Sequence, residues 1–189
     1  NKRIVDAPPL TLDALIEEAN SGRRVGLSPA FTDAFWGIQA FGGQLFDEDE
    51  RVVLDSGGFA NWLAWLKTTL EMPNIVLDKD PQTLTALFAD GDLAYLVAGS
   101  WQRKALQSVL SADQLGVAPL PRGPIDAAGP LLETDAFMFS IASSPRQLRL
   151  ATELTKFITN AEQQTALMRR AGRIPTNTRV RNNASVDPI

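Results

Sequence analysis

Leu87-Phe88-Ala89-Asp90-Gly91-Asp92-Leu93-Ala94-Tyr95-Leu96-Val97-Ala98-Gly99-Ser100-Trp101-Gln102 is the stretch on which the reading of this chain turns. It opens as the end of a helix. Asp90-Gly91 reads as a turn, with glycine placed to take a positive φ just past the last helical residue. Leu93 to Val97 is a short apolar run of the kind that forms a strand buried on both faces. Gly99-Ser100 breaks that strand, and Ser100 suits the N-cap of a helix beginning near Trp101. A large aromatic is thereby expected where a strand ends and a helix begins. In open α/β sheets, that is where ligands bind.

The same alternation continues on either side. Upstream, Asp80-Pro81 starts a helix with proline at its first helical position, and Leu84, Leu87 and Phe88 carry it into the central stretch. A preceding helix is expected from about Phe59 to Glu71. Its Phe59, Trp62, Leu63, Leu66 and Leu70 stand at helical spacing, which puts Trp62 in the core. Leu45-Phe46 and Val52-Val53-Leu54 read as two short strands joined through Asp47-Glu48-Asp49-Glu50. That acidic run lacks the alternating oxygen ligands and central glycine of a calcium loop, and reads as a solvated turn. Nearer the start, Thr11 caps a helix bearing Leu12, Leu15, Ile16 and Ala19 on one face. Val25 to Ser28 is a strand, and Ala30 to Trp36 leads into a helix ending at Gly42-Gly43.

Downstream, Leu115 to Leu120 reads as a buried strand stopped by Pro121, and Arg122 to Pro130 as a loop rich in glycine and proline. Ala136 to Ala142 is expected to be a hydrophobic strand. Ser144-Pro145 caps a helix through Asn160 with Leu148, Ala151, Leu154 and Ile158 inward. Asn160 caps a last helix that ends at Gly172, and an extended tail begins at Ile174-Pro175. Alternating strands and helices define an α/β class.

Composition narrows the chemistry. The 189 residues are 44% apolar and 21% charged, with a formal net charge of −4, so nothing argues electrostatically for nucleic acid or an anionic membrane. Cysteine and histidine are both absent, which removes disulfides, thiolate chemistry, the usual general base and the commonest transition-metal ligand. No metal or cofactor is expected. No apolar run approaches the ~18 residues needed to span a bilayer.

Catalytic constellations are sparse. Glu133 and Asp135 are a carboxylate pair, the minimum for glycoside hydrolysis, but two acids at strand-like spacing ordinarily just share a face. Neither a nucleophile elbow nor a phosphate-binding glycine loop is present. Binding chemistry is richer. Sugars have apolar C–H faces and polar rims, so their sites pair an aromatic platform with carboxylates, amides and helix N-termini. Trp101 supplies a platform, and Phe31-Thr32-Asp33 with Phe35-Trp36 follows another strand and supplies facing groups. The alternative for Trp101 is a core residue sealing the start of a helix. Residue chemistry alone leaves the two level.

The central stretch resembles the "lF.dGkaAm...GpW" signature of the carbohydrate-binding extracellular solute-binding proteins, the maltose-binding-protein-like components of ABC sugar importers. Other matches follow in order. Asn1-Lys2 with Pro8-Pro9-Leu10-Thr11 resembles the segment just after the family's hinge, and Ala40-Phe41-Gly42-Gly43-Gln44-Leu45-Phe46 its "a.GG.lf" element. Gly116-Val117-Ala118-Pro119-Leu120-Pro121 matches "gvaplP", Ile141-Ala142-Ser143-Ser144-Pro145 with Ala151 and Phe157 a later element, and Gly172-Arg173-Ile174-Pro175 "g.iP".

The resemblance implies a lobe of the periplasmic-binding-protein type II fold, a mixed sheet flanked by helices, that is not an enzyme. It implies that residues 1–134 form the second, ligand-binding lobe. Residues 135–189 would be a returning strand and two helices that belong to the first lobe in relatives. Trp101 takes the position of the family's stacking tryptophan, and Ser100 replaces the proline common before it. Thr32 stands near a stacking tyrosine of relatives and Ala30 near a carboxylate, so Phe31 and Asp33 become the local substitutes, with Phe35 a further candidate ligand-binding residue. Glu133 lies where relatives return through the hinge and often touch ligand.

On this basis the expected ligand is a mono- or oligosaccharide, the expected partners are ABC permease subunits, and the location is extracytoplasmic. Residues 136–189 are expected either to pack back on the lobe or to pair with a second copy as a homodimer. A ligand-sensing or interaction domain that has lost sugar binding is the alternative, motivated by Ala30 and Thr32.

Overall fold

A computed structural model of the chain describes residues 1–55 and 57–183. The chain divides into two compact units, one formed by Asn1–Gly99 with Ala105–Leu131, the other by Ser100–Lys104 with Leu132–Ile189.

The first unit is an α/β lobe built on a short parallel sheet. Thr11 accepts a hydrogen bond from the Ala14 amide at 3.1 Å and starts helix α1 (Leu12–Asn20), whose Leu12, Leu15 and Ala19 are buried. Strand β1 (Val25–Leu27) is buried at every residue because it is central, paired with β2 (Ile75–Leu77) and β3 (Tyr95–Leu96) in the order β2-β1-β3. Val25 stands opposite both Ile75 and Tyr95. Every pairing in this sheet is parallel rather than mixed. An antiparallel bridge, Phe46 with Val52, stands apart from it.

Helices pack this sheet into a core. α2 (Phe31–Ala34) and α3 (Trp36–Ala40) follow β1, α4 (Gly58–Thr69) precedes β2, and α5 (Pro81–Asp90) joins β2 to β3. Asp80 caps α5 by accepting from Gln82 N and Thr83 Oγ1, while Gly91 ends it in the left-handed region at φ 89°. Trp62 is 1% exposed. Its ring packs on Trp36 and Trp65 at centroid distances of 4.9 and 5.0 Å, and its Nε1 donates to the Ala34 carbonyl. Leu84, Phe88, Leu93, Leu106 and Leu110 form a second buried cluster. Leu106 belongs to helix α6 (Arg103–Val109).

Several expectations are corrected here. Ile75–Leu77 is a strand the sequence reading passed over, three apolar residues being too few to separate from a helix end by periodicity. The strand expected over Leu93–Val97 is confined to Tyr95–Leu96, since β1 is itself short. Hydrogen bonds from Ala94 N to Arg24 O and from Val97 N to Gly26 O extend the pairing by one residue each way. Leu45-Phe46 and Val52–Leu54 meet only in their single bridge, around an exposed turn in which Asp47 accepts from the amides of Asp49 and Arg51. Leu63 of α4 and Leu70 just past its end are exposed, and Thr69 is buried instead. Residues 115–120 form no strand and are largely exposed.

The second unit is helical. Ser144 and Gln147 form a reciprocal capping box at the start of α7 (Pro145–Ile158). Asn160 accepts from Gln163 N to cap α8 (Ala161–Ala171), which ends at left-handed Gly172. A further short helix, α9 (Thr178–Arg181), stands in the expected tail and buries Val180. Asn177 secures it, accepting from Arg179 N and donating to the Thr159 carbonyl. Residues 136–142, expected to be a strand, are unpaired and exposed, with Met138 at 92%. The face of α7 expected to be inward is exposed at Leu148 and at Leu154. A strand needs a ladder partner and an apolar face needs a cover, and neither requirement can be met locally.

Candidate functional site

The loop leaving β1 builds the first group of candidate residues. Ser28 is buried, its Oγ accepts from the Ala30 amide and donates to the Asp33 carboxylate at 2.8 Å. Asp33 therefore spends one oxygen fixing the entry to α2. Phe31 is half exposed, and its ring meets Phe35 edge-on at 5.7 Å. Thr32 is exposed between them. Phe35 is half-buried against the core. The structure thus groups Phe31 with Phe35, and ties Asp33 to Ser28.

Ser100, Trp101 and Glu133 lie in the second unit, and all are exposed. Trp101 is 69% exposed, so it does not seal a core. Ser100 is not an N-cap residue here, because it opens a 3₁₀ turn, Ser100–Gln102, that runs into α6. The reason is local: the sequence Ser-Trp-Gln enters the helix through a tighter turn, a common way for helices to begin. Asp135 pairs with Arg173 at 3.2 Å on the open surface.

Tyr95, the only tyrosine, has a structural position. Its hydroxyl donates to Glu18 at 2.7 Å and lies 3.2 Å from the Ala7 carbonyl, joining α1 to the sheet. Burial, then the hydrogen bond to Glu18, pushes its pKa up to about 12. Glu18 also pairs with Arg23 at 2.9 Å.

A feature that the sequence reading missed is an open cleft of about 550 Å³ in the first unit. Phe35 and Ile38 lie on it, with Gln39, the Gly42–Phe46 turn and Ile125, Asp126 and Gly129 around its rim. The loop 123–129 has no regular secondary structure yet is fixed. Ile125 N and Asp126 N donate to Ala40 O, Gly129 N donates to Trp36 O at 2.9 Å, and Gly123 N donates to Asp126 O. A β-carbon on Gly123 would run into the Ala40 carbonyl oxygen, a backbone atom that cannot swing aside, so glycine is required for this approach. The sequence signals were Gly42-Gly43 and Gly123 themselves. Which backbone each glycine admits is a long-range fact.

Among the described residues, no cluster of acidic side chains has the arrangement of a metal site, and no helix is long and apolar enough to cross a membrane.

Comparison with known proteins identifies the family. Residues 1–188 match the family model described as bacterial extracellular solute-binding protein. No curated protein matches the chain. Among solved structures it is similar to the maltose-maltodextrin binding protein of Alicyclobacillus acidocaldarius, with TM-score 0.77 and 19% identity over 100% of this chain and 52% of that one. It is also similar to the maltose/maltodextrin-binding domain MalE from Bdellovibrio bacteriovorus bound to maltotriose, with TM-score 0.74 and 23% identity over 98% and 53%. Maltose-bound MalE3 of T. maritima gives TM-score 0.72 and 23% identity over 98% and 52%. The chain spans about half the length of these structures. It belongs to the bacterial extracellular solute-binding proteins, with the α/β lobe fold of maltose-binding-protein-like relatives.

Proposed function

We propose that this member of the extracellular solute-binding proteins is the substrate-recognition part of an ABC-type sugar importer, binding a mono- or oligosaccharide without turning it over. The observation that carries the reading is the exposed indole of Trp101 in a chain of this family. A flat aromatic surface in water is a natural partner for the C–H face of a pyranose, which buries apolar area on both sides while the hydroxyl rim stays available for hydrogen bonds. Ser100 and Glu133, in the same unit as Trp101, are the candidates to supply such groups. Phe31, Thr32, Asp33 and Phe35 are the candidate ligand-binding residues of the first unit. Two of the solved relatives carry maltose or maltotriose by their descriptions, which supports a glucose-type ligand.

In this reading residues 1–134 are the ligand-binding lobe and residues 135–189 return to a first lobe, the two closing on sugar by hinge motion in the full-length protein. Residues 136–142 then gain a sheet partner from that lobe. Permease subunits are the partners, and the compartment is extracytoplasmic. One observation favours a second reading, a sensing or interaction domain without sugar binding: the Asp33 carboxylate, the nearest substitute for the family's missing acid, is engaged by Ser28.

Calorimetry of the full-length protein against a panel of oligosaccharides separates them. Heat with at least one sugar, and a loss of about tenfold or more in affinity on Trp101→Ala, is expected for transport. Absence of heat with every sugar would leave the sensing role.

A further inference from the structure

We propose that the cleft between the C-terminal end of α3 and the 123–129 loop is a second small-molecule site, one that takes a neutral sugar ring or other polyol. It stands independently of the Trp101 reading, although Phe35 borders it.

Three observations carry this. First, the cleft has fixed walls. One is the Gly42-Gly43 turn, where Gly43 N donates to Ile38 O at 2.9 Å, and the other is the loop stitched to Ala40 and Trp36 by the hydrogen bonds described above. A preformed cleft costs a ligand little ordering free energy. Second, its volume of about 550 Å³ lies in the range of small-molecule sites, roughly 300–1,000 Å³. Third, its lining pairs apolar and polar surface as a sugar does. Phe46 and Ile125 are 51% and 67% exposed and offer apolar faces. Gln39 and Gln44 present exposed amides, each able to donate and accept. Asp126 uses one carboxylate oxygen on the Ala127 amide and keeps the other for a hydroxyl donor.

Charge narrows the ligand further. The lining contains the acidic Asp126 and no lysine or arginine, so an anion would meet no counter-charge. A wholly apolar ligand would desolvate two amides without replacing their hydrogen bonds. A neutral polyol satisfies both faces.

The test is methyl-detected NMR of the chain titrated with maltotriose, following Ile38, Ile125 and Leu45 methyls together with the Trp101 indole N–H. The methyls are expected to shift equally in the natural sequence and in Trp101→Ala. Phe46→Ala and Gln44→Ala, both at exposed positions, should each weaken the methyl response, the first by about tenfold, while leaving the Trp101 response unchanged. Glucuronate should bind more weakly than glucose at the methyls, because it brings a second negative charge to Asp126. Methyl shifts that are absent at the solubility limit, or that vanish in Trp101→Ala, would overturn the proposal. So would glucuronate binding more tightly than glucose. Failure of the importer reading shows separately, as a Trp101 indole that stays unmoved while the methyls respond.

Discussion

Helices α4 and α7 make an instructive pair. α4 starts at Gly57 without a side-chain cap, yet it buries Trp62 and Leu66 and holds the centre of the first unit. α7 has proline at its first turn and a complete capping box, yet none of its residues is buried. Local signals decide where a helix begins. Burial decides what it contributes, because most helical stability in proteins comes from packing an apolar face rather than from propensity or caps. Phe157 and Leu154 lie on the open face of α7, 56% and 57% exposed.

The largest test of that contrast is Trp62→Ala. Loss of a buried indole, its ring contacts and its hydrogen bond to Ala34 should cost about 3–5 kcal/mol in urea unfolding and collapse the sheet unit. A loss below about 1 kcal/mol would show that the aromatic cluster does not organise this unit.

A change of conditions comes next. The Tyr95 pKa is raised to about 12, so the phenol stays protonated in the folded chain where an unfolded one, near 10, would ionise. The stability it lends is fully present below pH 10 and is lost as pH climbs through 12. Because the chain has a single tyrosine, phenolate absorbance reports this group directly. The midpoint should fall toward 10 in Glu18→Ala, and alkaline destabilisation in this window should be reduced in Tyr95→Phe.

Ser144→Ala removes the hydroxyl that accepts from Gln147 N and should cost α7 about 1 kcal/mol, read as lost helicity by circular dichroism. The cap therefore matters more to this helix than its apolar face. Leu154→Ala, at an exposed position, should change stability by no more than about 0.5 kcal/mol. A loss of about 2–5 kcal/mol there, growing with protein concentration, would mean that a second copy covers the face in solution.

Much of the fold was legible because its signals are local. Thr11, Asp80 and Asn160 cap the helices expected of them, Gly91 and Gly172 end helices at positive φ, and Trp62 is in the core. What went unread or was misread depended on pairing. Ile75-Val76-Leu77 became a strand because β1 lies beside it, whereas Leu115–Leu120 and Ala136–Ala142, equally apolar, found no ladder. Periodicity describes a segment's suitability for a sheet and is silent about whether a neighbour exists.

The candidate site divides the same way. Chemistry named the residue types worth inspecting, Trp101 above all, and family resemblance ordered them. Only the structure showed that Trp101 is open to solvent, that Ser100 enters its helix through a 3₁₀ turn, and that Asp33 is engaged by Ser28. Only it brought Ile125 and Asp126 to the end of α3, more than eighty residues away in the chain, to make a cleft. By itself the sequence determined the α/β class, the family, the caps at Thr11, Asp80 and Asn160 and the aromatic core residue, all written in short-range preferences and spacing. Tertiary structure decided which apolar segments are covered and which polar groups stay free, because burial and pairing depend on what the rest of the chain places alongside them.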